Sequence, residues 1–257
     1  MKLFFKLSLL AVVFFSIART QAQSTPPKKE RKFFAGLSLG PSFPTGKFAN
    51  KNFSDTTAGL AQAGPSLNVS AGYMFTRSVG VVVYVGGQEN KQDAGAIARS
   101  LKEAHGDTVS TGAWTNNWKI ARIMAGGIFK WPVGEKLFFQ AKGLLGLLKT
   151  ALPGYSYGIG QVIPNIYNPS NYNEIGVTAK IPLNWAFCYQ ANAGLGWKLS
   201  KRISLTGDIS YYHADTKHHF DHYLRFNPNG TFYDSGPWDL KYAISSVNLA
   251  AGAEITF

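Results

Sequence analysis

Two sets of residues in this 257-residue chain have the types and spacing that do chemistry. The first lies in segment 213–222, where His213, His218, His219 and His222 stand close to Asp215 and Asp221. Imidazoles and carboxylates at this density are donors for a metal ion or a pH-sensitive contact, and a His beside a carboxylate is also a general base. Nucleophilic catalysis needs a nucleophile beside that base too, and none follows His213 closely: position 215 is Asp, and the next Ser is Ser235. The plain alternative for the segment is a solvated polar loop.

The second set is Arg122, Lys130, Lys142, Lys198, Asp208 and Glu254, charges placed at one parity of stretches that are apolar at the other. The stretches decide what the charges do. In segment 243–257 the odd positions from Val247 (Val247, Leu249, Ala251, Ala253, Ile255, Phe257) are apolar. The even ones (Ser246, Asn248, Ala250, Gly252, Glu254, Thr256) are small, polar or charged, which is the period of a strand with two unlike faces. A membrane barrel closes by pairing its last strand with its first and turns its apolar side chains to lipid.

Seven further stretches alternate in the same way, at about 33–43, 62–75, 79–90, 118–133, 136–148, 183–200 and 203–212, although Leu144 and Leu148 blur the fifth. Long polar segments (44–61, 91–117, 149–182 and 213–241) alternate with turns of a few residues. The expected fold is therefore all-β, an eight-stranded antiparallel up-and-down transmembrane β-barrel with long loops at the cell surface and short turns in the periplasm. Phe75, Trp131, Trp197 and Phe257 fall near the short-turn ends and form the expected aromatic girdle.

Eight strands enclose a lumen just wide enough for side chains to fill. Charges enclosed there must be paired to offset desolvation. Counted from the turns, Lys142 and Asp208 lie at similar depth, as do Lys130 and Glu254, so the six charges predict an ion-pair network that plugs the barrel. A gated conduit is the alternative, and nothing points to an open porin channel.

The ends and the composition set the compartment. Residues 1–22 carry Met1, Lys2 and Lys6, an apolar run, and then Arg19-Thr20-Gln21-Ala22, the order of a cleaved export signal. Residues 23–32 read as a polar periplasmic arm and 33–257 as the barrel. The formal net charge is +12, of which the signal supplies three. A basic chain can bind nucleic acid, but an exported one with alternating aromatic strands meets anionic lipid and lipopolysaccharide instead. The single Cys188 makes no intramolecular disulfide and reads as a small inward-facing filler. No cofactor is implied.

On the export signal, the eight alternating strands and a final strand ending in Phe257, the chain resembles the family of small eight-stranded outer-membrane barrels that includes OmpX and the transmembrane domain of OmpA. The resemblance implies an outer-membrane location, recognition of the C-terminal strand by the outer-membrane assembly machinery, and a monomer. It leaves function open among surface contact, structural anchoring and lipid A acyl modification, because a fold alone does not carry a function. The expectation is a structural or surface-contact barrel with a ligand, if any, at the loops. A lipid A acyl-modifying enzyme or a small gated channel is the alternative.

Overall fold

The computed structural model describes residues 32–105, 109–153, 155–161, 173–177, 184–220, 224–226, 232–234 and 238–257. The export signal and most of the arm lie outside them, as do Asp221 and His222. Eight strands form one closed barrel: β1 (Phe33–Pro44), β2 (Gly64–Met74), β3 (Val79–Asn90), β5 (Trp118–Pro132), β6 (Leu137–Ala151), β9 (Asn184–Lys198), β10 (Ile203–Phe220) and β13 (Trp238–Thr256). Every neighbouring pair is antiparallel and consecutive around the ring. Closure is made by β1 against β13, with Phe34 opposite Thr256 and Leu37 opposite Ala253. The Phe257 amide also donates to the Phe33 carbonyl at 2.8 Å.

Parity decides which side chains go where. Leu39, Leu67, Val83, Ile123, Leu145, Phe187, Leu195 and Ile209 all point outward and are about half exposed or more. An apolar belt that encircles a molecule is far larger than water-facing surfaces tolerate, so its solvent is hydrocarbon. Among the described residues no helix is long and apolar enough to cross a membrane, and the crossing is made by strands. The chain is an eight-stranded antiparallel barrel that spans a membrane.

Three short turns, at 75–78, 133–136 and 199–202, close one end of the barrel. Hydroxyls set two of them. Thr76 Oγ1 accepts from the Ser78 and Val79 amides, and Ser200 Oγ from those of Arg202 and Ile203. These side-chain bonds mimic the backbone bond of a tight turn. The turn-end aromatics Phe75, Trp131, Trp197 and Phe257 are all exposed on the outward face.

The opposite end holds more regular structure than the polarity of its segments predicts. Segment 44–61 contains a 3-10 turn (Gly46–Ala49). Segment 91–117, expected as a loop, contains helix α1 (Ala94–His105) and strand β4 (Val109–Thr115). Asp93 caps α1 by accepting from the Ala96 amide at 2.9 Å. Ile97 and Leu101, one helical turn apart, bury against Ala58 and Leu60. Segment 149–182 supplies β7 (Tyr155–Gln161) and β8 (Asn173–Val177), which pair with β4 into a separate three-stranded sheet.

The larger correction is at β10 and β13. Sequence periodicity ends the seventh strand near Tyr212 and leaves 213–241 as loop, but β10 and β13 pair continuously from Ile203↔Ile255 to Phe220↔Trp238. The hairpin thus rises eight residues beyond the expected end, and its tip carries the small pair β11 (Leu224–Phe226) and β12 (Phe232–Asp234).

Candidate functional site

The lumen divides into a floor, a middle and a lid. At the floor, Phe34 and Phe138 turn inward and are nearly inaccessible. They fit because the facing positions are glycines: a β-carbon at Gly72 would run into the Phe34 ring and one at Gly196 into the Phe138 ring. Between these rings sits Lys130, whose Nζ lies 4.3 Å from the Phe34 centroid and 5.3 Å from that of Phe138 and is ion-paired with Glu254 Oε1. The ammonium is therefore held by a carboxylate on one side and ring faces on the others.

In the middle, Lys142 Nζ lies 3.7 Å from Asp208 Oδ1, and Gln140 Nε2 donates to the same oxygen at 2.8 Å. The space left among these groups amounts to about 20 Å³, scarcely more than a single water occupies. Arg122, 1 % exposed, has no carboxylate partner among the described residues. Its guanidinium stacks 4.0 Å over the Tyr212 ring and donates through Nη1 to Gln190 Oε1 at 3.3 Å. Stacking a weakly hydrated planar cation on an aromatic face offsets part of the desolvation, although Nε and Nη2 are buried with no hydrogen-bond partner among the described residues.

The lid is aromatic. Phe48, from the 3-10 turn, packs edge-on to Trp118 at 5.2 Å, Trp118 packs on Tyr242 at 5.3 Å, and Trp118 Nε1 donates to the Gly59 carbonyl at 2.8 Å. Buried His218 continues the stack, its ring 6.4 Å from Tyr242. Sequence reasoning missed the floor and the lid. Phe34 and Phe138 are apolar residues at the inward parity, a signal that was present, whereas Phe48 sits in a segment read as loop. Leu144 and Leu148, which blur the alternation of β6, are inward and buried and line the wall with Ile120, Met124 and Ile128.

Of the six expected lumen charges, five therefore lie inside, four of them in two pairs. Lys198 does not join them. It is the last residue of β9, exposed at the turn end, where its long side chain reaches solvent past the rim. Cys188 is buried inside the barrel as a free thiol.

Among the described residues the histidine segment is not gathered into a cluster, because a strand separates what a loop gathers. On β10 the side chains alternate, so His213, Asp215, Lys217 and His219 face outward while His218 faces inward. Among the described residues no group of three His, Cys, Asp or Glu is placed to hold a metal. His219 Nδ1 contacts Asp239 Oδ1 at 2.7 Å, and Lys217 Nζ lies 2.8 Å from Asp239 Oδ2. The hydrogen bond from Lys217, and then that from His219, hold the Asp239 carboxyl below the usual carboxylate range.

His213 does have a Ser, supplied across the sheet rather than along the chain. Ser245 is directly opposite in register, its Oγ is 2.7 Å from His213 Nδ1, and Asp215 Oδ2 is 3.5 Å from Nε2. A hydroxyl, an imidazole and a carboxylate thus lie in a row across β13 and β10, with the Ser245 side chain buried and that of Asp215 exposed. Among the described residues no oxyanion hole accompanies them: His213 is flanked by paired strands on both sides, opposite Tyr189 as well as Ser245, so the ladders engage the local backbone donors.

No family model matches the chain, and no curated protein does either. Solved structures similar to it are outer-membrane and surface proteins of low identity. Neisserial surface protein A is 11 % identical, with a TM-score of 0.47 over 88 % of this chain and 97 % of that one. Ail, the attachment invasion locus protein of Yersinia pestis, is 11 % identical with a TM-score of 0.40 over 89 % and 99 %. A major outer membrane protein from Thermus thermophilus is 13 % identical with a TM-score of 0.41 over 88 % and 99 %.

Proposed function

We propose that this chain is a sealed outer-membrane barrel that works through the structure carried at its loop end, as a surface-contact or structural protein rather than as a channel. The observation that carries the proposal is the lumen: aromatic rings cross it at both ends, and Lys130–Glu254 and Lys142–Asp208 fill what lies between. A barrel that spends its interior on packing has only its wall and its loops for contacts, and loops on a rigid scaffold are where binding usually resides. Here α1, the β4–β7–β8 sheet and the extended β10–β13 hairpin make a folded platform rather than slack connections.

The proposal requires the loop end to face outward from the cell. Cys188 is buried, so a single introduced thiol reports its own surroundings. Glu103→Cys on α1 reacts with a membrane-impermeant maleimide on intact cells, whereas Glu135→Cys in a short turn reacts only after permeabilisation. The reverse pattern, or equal labelling, defeats it.

One observation favours a second reading, an acyl hydrolase acting on outer-leaflet lipid: the contact between Ser245 and His213 on the outward face. Mass spectrometry of lipid A from cells with and without the protein separates the two. The surface-contact reading expects identical acylation. Loss of one acyl chain that tracks with the protein and vanishes in both His213→Ala and Ser245→Ala establishes the hydrolase.

A further inference from the structure

The charges enclosed in the lumen do not cancel. Lys130 and Lys142 are matched by Glu254 and Asp208, so three cations face two carboxylates and Arg122 is the one left over. Asp208 stands four residues before Tyr212 on β10, about 13 Å along the strand, and is already engaged by Lys142 and Gln140. Arg122 stacks on Tyr212, well away from that pair. An ion buried without a counter-charge is strongly destabilising.

The guanidinium is used on one side and unused on the other. Nη1 donates to Gln190 Oε1, whereas Nε and Nη2 are buried with no hydrogen-bond partner among the described residues. These two N–H groups share an edge and point the same way, which is the fork that grips one anion through two parallel bonds. Gly86 is opposite Arg122 in register, and a β-carbon there would stand 3.2 Å from Nη2. Any side chain at 86 would therefore crowd this edge.

The wall that Arg122 reaches supplies more donors. Tyr212 Oη, Ser246 Oγ, Asn248 Nδ2 and Ser42 Oγ are also buried and unpartnered among the described residues. Register joins them, with Ser246 opposite Tyr212 and Asn248 opposite Ser42. Orphaned polar atoms at this density in a native interior call for a bound species that the side chains themselves do not provide. Two orphaned carbonyls, Asn68 Oδ1 and Gln88 Oε1, lie on the neighbouring strands β2 and β3. A carbonyl or a water can accept a hydrogen bond from Arg122, but neither cancels its charge.

We propose that Arg122 anchors a buried binding site for a small monovalent anion, a halide in chemistry, held by the Nε and Nη2 edge and by the donors of Tyr212, Ser246 and Asn248. Charge and space select the ligand. One negative charge brings the interior to neutrality, whereas sulfate or phosphate overshoots it. A lumen that eight strands fill with side chains suits a monatomic ion better than an organic acid. The site rests on the burial and charge of the lumen alone, so its failure leaves the surface-contact reading standing.

The test compares barrels refolded into phosphatidylcholine vesicles in sodium chloride, sodium bromide or sodium gluconate at equal ionic strength. Urea unfolding followed by tryptophan fluorescence reads the stability. An anion that binds only the folded state raises the folding constant about a hundredfold when present at about a hundred times its dissociation constant. Chloride and bromide should therefore stabilise the wild type over gluconate, increasingly so as halide replaces gluconate. Arg122→Gln should lose this dependence. Tyr212→Phe/Ser246→Ala keeps the cation and an aromatic ring beneath it, and should weaken the dependence severalfold even if Arg122→Gln fails to fold. Lys136→Ala, at an exposed turn, should leave it intact. Wild-type crystals grown in sodium bromide then locate the ion, with an anomalous peak expected beside Arg122 Nε and Nη2. Equal stability of the wild type in the three salts, a halide dependence undiminished in the Arg122 or the Tyr212/Ser246 variant, or density at that edge with no anomalous signal, which identifies water, overturns the proposal.

Discussion

Replacing Glu254 by Gln tests how the floor of the lumen is held together. The side chains of Lys130 and Glu254 are 14 % and 7 % exposed, so neither partner can turn to water when the other is lost. Removing one member of a buried pair costs about 3–5 kcal/mol, chiefly because the remaining charge stays desolvated. Here the Phe34 and Phe138 rings remain against the ammonium, and cation–π contacts of this kind contribute about 0.5–2 kcal/mol. The expected loss is therefore about 3 kcal/mol, at the lower end of that range. Lys130→Met/Glu254→Gln removes both charges and should recover most of the loss, as replacement of buried pairs by apolar groups often does. Urea unfolding of the barrel in lipid vesicles, followed by tryptophan fluorescence, measures both. A single-variant loss under about 1 kcal/mol, the value of an exposed pair, or a double variant no more stable than Glu254→Gln, refutes the reasoning.

Other outcomes follow from the same geometry. Asp93→Ala removes the N-cap of α1 and should lower the stability of the loop-end unit by about 1 kcal/mol, read as faster amide exchange in 94–105 with barrel unfolding unchanged. Deleting Phe257 removes an outward-facing aromatic and the amide that bonds to Phe33, and should lower the amount of assembled barrel; unchanged membrane levels contradict this. The Asp239 carboxyl is held low, so its contribution is present above the ordinary carboxylate value of about 3.9 and is lost as pH falls through the lower folded value. Exchange at the top of β10, corrected for intrinsic rate, should be flat from pH 7 to 5 and rise only below that range. A rise already at pH 5 assigns the contact to another group.

The membrane part of the barrel was legible because lipid outside and packing inside impose opposite demands on alternate residues. Every strand from β1 to β13 that faces hydrocarbon shows the period, and the depth-matching of Lys142 with Asp208 and of Lys130 with Glu254 needed only residue counts from the turns. Toward the loop end β10 carries polar residues on both faces, even where its inner face packs against the aromatic lid. Asp215, Lys217 and His219 outside then differ little in polarity from Thr216 and His218 inside, and the contrast that reveals a strand vanishes. That is why segment 213–220 read as loop and its histidines as a cluster. Helix α1 had readable signals in Asp93 and the Ile97/Leu101 spacing, but Gly95 and a polar neighbourhood masked them. The lid and Ser245 were not readable in principle. Phe48 meets Trp118 across 70 positions of chain and Ser245 meets His213 across 32, contacts that exist only once the ring has closed and the register is set.

The claim that the lumen is sealed is met most directly by single-channel recording in planar bilayers. The folded barrel should show no steady conductance, while Trp118→Ala combined with Phe48→Ala, which opens the lid but leaves the ion pairs, should still conduct little. Adding Phe34→Ala and Phe138→Ala, which removes the floor rings, and Lys142→Ala and Asp208→Ala, which removes the middle pair, should bring measurable current. Steady, large conductance through the unaltered barrel contradicts the account.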